Sequence, residues 1–107
     1  MEDVRGLKAG DILVSSWGFE QTNVDFYEVV SMVGKASVSI RKIAGEIAKY
    51  DSSMSGTIRP VPGEFIGGPF TKRAKDGRIN ISSYSGANKV TINDDGNFRA
   101  YYWSSYA

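Results

Sequence analysis

The sequence predicts an all-β fold, a small antiparallel barrel of SH3-like form with long loops, and three observations predict it. Apolar, β-branched and aromatic residues recur at a spacing of two along several short runs. Two turn signals, Asp76-Gly77 and the group from Asp94 to Asn97, separate such runs. Pro60, Pro62 and Pro69 fall within ten residues, and nowhere does a 3.6-residue pattern persist for the length of a helix. At 107 residues and 11.7 kDa, with 41% hydrophobic and 12% aromatic residues, the chain is sized for one domain over 1–107. A chain of this length buries about two thirds of the surface that it exposes unfolded, enough for a core without staples.

The elements follow in order. After Lys8, Ala9 and Gly10, the run 11–16 groups Ile12, Leu13 and Val14 between turn residues and reads as a first strand. Residues 25–33 alternate Phe26, Glu28, Val30 and Met32 with Tyr27, Val29, Ser31 and Val33, a half-buried strand. Gly34 and Lys35 turn the chain into 36–43, where Val38 and Ile40 share a face and Ile43 falls out of step, so a bulge or strand end is expected near Lys42. These three make a meander. Residues 46–50 fit either a short strand or one helical turn. Residues 56–59 read as a strand stopped by Pro60, and 61–69 as a rigid extended loop. Asp76-Gly77 joins 71–75 to 78–83 as a two-residue hairpin, and the second turn separates 89–92 from 98–103.

The absence of Cys and His removes disulfides, thiol nucleophiles, imidazole bases and Cys/His zinc sites. Residues 63–68 lack the Lys-Ser/Thr ending of a phosphate loop, and Asn93, Asp95 and Asn97 alternate like calcium ligands but with Gly96 misplaced and no terminal Glu. The expectation is therefore a protein that is not an enzyme and takes no metal or cofactor. Residues 1–5 show no basic-then-apolar signal pattern and no apolar run reaches about 20 residues, so a cytoplasmic location without membrane contact is expected. The net charge of +1 hides an uneven distribution. Glu2, Asp3, Asp11, Glu20, Asp25 and Glu28 outweigh Arg5 and Lys8 at the start, whereas Lys72, Arg73, Lys75, Arg78 and Lys89 outweigh Asp76 over 71–89.

Two constellations point to function. The 17–25 loop carries Trp17, Phe19, Glu20, Gln21, Asn23 and Asp25, flat rings for contact area beside directed hydrogen-bonding groups, the mix that protein recognition uses. The competing reading is that Trp17 caps the barrel while Asn23 and Asp25 close a turn. The run from Gly10 through Ser15, Ser16, Trp17, Gly18, Phe19, Glu20, Gln21, Thr22, Asn23, Val24, Asp25, Phe26 and Tyr27 to Val30 resembles a group of small proteins carried by bacteriophages and other bacterial mobile elements. Residues 54–63 and the aromatic run 102–106 extend that resemblance over most of the chain. It brings no activity, cofactor or catalytic residue. It implies an accessory protein acting in the bacterial host, where inhibitors of host defence and nucleic-acid binders are both common.

The second constellation is the C-terminal run with the basic hairpin. In one strand over 98–104, Arg99, Tyr101 and Trp103 share a face opposite Phe98, Ala100 and Tyr102. Open to solvent beside Lys72, Arg73, Lys75 and Arg78, that face offers cations with stacking platforms, as nucleic-acid binding requires. Buried, it is core, and the hairpin cations then only protect a sheet edge. Two functions follow. The first is a non-catalytic module in which the 17–25 loop and C-terminal aromatics engage a host protein, with inhibition of a defence component as one outcome. The alternative is binding of single-stranded or duplex nucleic acid by the hairpin and exposed rings.

Overall fold

A computed structural model describes residues 6–18, 22–52, 55–82, 85–90, 92–94 and 96–104, and strand is the only regular structure among them. Eight strands follow in order: β1 (Ile12–Trp17), β2 (Asn23–Val33), β3 (Ser37–Ser52), β4 (Ser55–Phe65), β5 (Phe70–Lys75), β6 (Arg78–Ser82), β7 (Ser85–Lys89) and β8 (Tyr101–Ser104). Every pairing is antiparallel, and the order is β2-β1-β7-β6-β5-β3-β4-β8 with β2 also paired to β3. Six strands therefore succeed one another round a ring. Its narrowest joins, β1–β7 and β5–β6, have two partner pairs each. The chain is all-β, as expected, but β4 and β8 continue off β3 as an arm that the SH3-like expectation did not include.

Two apolar clusters explain the arm. Leu7, Leu13, Tyr27, Val29, Val38, Ile40, Ala74, Ile79 and Ala87 form one cluster, to which every ring strand contributes, so it fills the ring. Ile12, Val14, Phe26, Ile43 and Val90 form the other, with Val24, Ile58, Phe98 and Tyr101 packed against it. It lies between the outside of β1–β2–β3 and the arm. Strand β1 is thus buried on both faces, which is why Ile12, Leu13 and Val14 run together instead of alternating with polar residues.

The irregularity expected near Lys42 is absent from the β2–β3 ladder, while the β3–β4 ladder shifts register beside it, between Ile43 and Gly45. The β2–β3 register runs without a break from Ile40, opposite Val29, to Ile43, opposite Phe26. Ile43 is out of step because it faces the second cluster. The β2–β3 shift lies across the ladder, between Val29 and Ser31, and it restores Met32 to the inner face opposite Val38.

Residues 46–50 are neither a separate strand nor a helical turn but the far half of β3. Pro60 does not stop its strand either. It pairs with Gly45, and β4 next meets β3 at Phe65 opposite Ile43, so Pro62 and its neighbours stand out of that ladder, where no N–H is required. Asp76 and Gly77 have φ of 52° and 80° and join Lys75 to its partner Arg78, the two-residue turn the sequence signals. A Cβ on Gly6 would stand 2.5 Å from the Gly77 nitrogen, so the segment leading to Leu7 lies directly on that turn. Around Gly96 the chain also reverses, with Ile92 bridged to Phe98, but the final strand begins only at Tyr101.

Candidate functional site

Trp17 ends β1 opposite Asn23, and its indole N–H donates to Asp25 Oδ2 at 2.8 Å. The other oxygen, Asp25 Oδ1, meets Lys42 Nζ at 3.1 Å. Asp25 thus holds the Trp17 ring at the rim, next to Tyr27, whose hydroxyl pKa is raised above 10.0 by burial and then by the Asp25 charge. Trp17 is thereby tied into the β1–β2 pair, and Asn23 and Asp25 lie on β2 instead of in the connection between the strands. Phe19, Glu20 and Gln21 lie outside the described residues.

Strand β8 comes back to this loop. The Ser104 N–H donates to the Thr22 carbonyl at 3.0 Å, and the Thr22 N–H donates to Ser104 Oγ at 2.9 Å. Beside this joint is a groove of about 280 Å³ lined by Thr22, Asn23, Val24, Ile47, Ile58, Trp103 and Ser104. Trp103 pairs with Gly56, Gly56 with Tyr50, and the two rings meet edge to face at 6.1 Å across the bare glycine. A Cβ at Gly56 would lie 2.1 Å from the Lys49 carbonyl oxygen, so only glycine permits this crossing. The Trp103 indole nitrogen is buried with no hydrogen-bond partner among the described residues, while Ile47 and Tyr50 remain 37% and 63% exposed.

Of the two readings of the face with Arg99, Tyr101 and Trp103, the open one is not formed. Tyr101 packs edge to face on Phe26 at 6.0 Å, and the Arg99 guanidinium lies over its ring at 5.7 Å. Tyr102, assigned by alternation to the other side, is 54% exposed. Because the second cluster sits under the arm, the Tyr101 side of β8 is the one it covers.

The hairpin cations divide as well. Arg73, Lys75 and Arg78 line a depression of about 490 Å³ with Ala74, Asp76, Asn80 and Asn88. Lys72 projects with buried Ala74 to the other face of β5, its Nζ 6.0 Å from the Phe70 ring. Strand β8 pairs with β4 and touches β2, so the stacking rings do not join the hairpin in one site. The acidic and basic segments also meet: Lys89 Nζ stands 3.5 Å from Asp11 Oδ2. Ile47, Tyr50, Asn80 and Asn88 were missed in sequence because only strand register brings them to these surfaces.

Among the described residues no group of three or more acidic side chains gathers as a metal site, and no helix is long and apolar enough to cross a membrane. No protein-family model, curated protein or solved structure matches the chain.

Proposed function

We propose that this chain is a non-catalytic binding module that engages a protein of a bacterial host through the seam where Thr22 and the start of β2 meet β8. The observation that carries this reading is the Thr22–Ser104 joint: residues 82 positions apart exchange two hydrogen bonds beside a groove of mixed polar and apolar lining. The two features that the sequence marks separately thereby become one surface. Ile47 and Tyr50 supply exposed apolar contact area, Asn23 and Thr22 supply directed polar groups, and Trp103 provides a rigid wall, the composition of a protein-binding patch. Occupying a partner's surface requires no catalytic group, which agrees with a phage or mobile-element accessory protein that acts on a host component in the cytoplasm.

The test is capture from bacterial lysate by immobilised protein, comparing wild type with the Ile47→Asp, Tyr50→Ala double variant. Both positions are on the exposed arm, so melting should change by only a few degrees while a specifically captured partner falls at least about tenfold, the loss of one good anchor. A partner held equally well by the variant would contradict the reading.

A further inference from the structure

We propose that the outer face of β5–β6–β7 is a second, separate site that binds the phosphate backbone of duplex nucleic acid. Arg73 and Lys75 are two residues apart on β5, Lys75 is directly opposite Arg78 on β6, and Arg78 is directly opposite Asn88 on β7. With about 3.3 Å of rise per residue and about 4.8 Å between strands, these registers set three cations within a patch roughly 7 Å by 5 Å. Like charges placed directly across a ladder repel. Among the described residues no ion pair joins any of the three to a carboxylate. Asp76 is the one carboxylate lining the depression among the described residues, so three cations outnumber it and the face is net positive, complementary to a polyanion.

The shape of the face agrees with its charge. A Cβ on Gly86 would stand 3.3 Å from both Nε and Nη2 of Arg78, so the bare glycine leaves the room in which the guanidinium lies along β7. Asn80 and Asn88 add amide donors to the same depression. No aromatic ring lines it among the described residues, so it offers charge and hydrogen bonds to phosphates but no platform for unpaired bases. Duplex backbone, contacted without reading sequence, is the ligand that this chemistry fits.

Fluorescence anisotropy of a labelled DNA duplex of about two helical turns and of its single strand tests the proposal. Three phosphate contacts predict duplex binding whose logarithm falls against the logarithm of salt with a slope of about −2.7 between about 50 and 200 mM. Replacing Arg73, Lys75 and Arg78 by Gln should weaken low-salt binding by at least about tenfold and flatten the slope toward zero. Arg59→Gln, which removes one exposed cation from β4, should change binding less than about twofold, and the variant at Ile47 and Tyr50 should bind as wild type does. Melting of the triple Gln variant no lower than wild type keeps the comparison interpretable, because these side chains are exposed on the surface. Absence of duplex binding at low salt, preference for the single strand, or equal weakening by Arg59→Gln would overturn the proposal.

Discussion

The two halves of β3 share one backbone and one set of strand propensities, yet they live in different surroundings. Over residues 37–40 the strand is flanked by β2 and β5, and Val38 and Ile40 are fully buried in the ring. Beyond Ile43 it pairs with β4 alone, and residues 45–52 are all exposed. The near half is held from both edges and packed on its inner face; the far half is held by one partner, which depends in turn on β8 and on the second cluster. A strand can therefore anchor a core at one end and present a surface at the other. The apolar side chains of the far half, Ile47 and Tyr50, remain available to a partner because no second layer covers them.

Substitutions should separate the halves by size of effect. Ile40→Ala, at a site with no exposed surface, opens a cavity in the ring and should cost about 2–5 kcal/mol, read as a lowered denaturant midpoint for the whole molecule. Tyr101→Ala removes the ring that fastens the arm to Phe26 and should cost roughly 2 kcal/mol, felt as faster amide exchange in the arm with little change at Val38 and Ile40. Equal loss of protection in both halves would break the distinction.

The smallest effect is a pH dependence at the rim. Because the folded protein raises the Tyr27 pKa above its unfolded value of 10.0, its neutral hydroxyl contributes stability that is fully present below pH 10 and is lost as pH rises through the folded pKa. Melting temperatures followed from neutral to strongly alkaline pH should fall less steeply for Tyr27→Phe than for wild type. Parallel curves would show that Tyr27 has no such role.

The comparison also shows what was legible in the sequence. Period-two runs and the Asp76-Gly77 turn disclose the strands and the hairpin, because both are written in neighbouring residues. The arm is not legible in this way. Nothing local distinguishes the half of β3 that enters the ring from the half that leaves it, and Pro60 reads as a stop until the interruption of the β3–β4 ladder beside it is known. The out-of-step Ile43 was the one visible trace of a second core, and a bulge was the simpler local explanation. For the sites, residue types were readable and grouping was not. Trp17 was marked as important, but its tie to Asp25 and Lys42 depends on pairing across β1, β2 and β3. Lys72 and Arg73 are adjacent in sequence and alternate to opposite faces, whereas Asn88 reaches the basic depression only through register with Arg78.

Native-state hydrogen exchange resolved along β3 tests the central claim most directly. A body that holds the fold and an arm that carries the seam predict that amides at residues 38–43 exchange only through global unfolding, and that those paired with β4 at residues 45–50 exchange at least about tenfold faster through opening of the arm alone. A single opening free energy along the whole strand would contradict it, because the arm would then belong to the same cooperative unit as the ring.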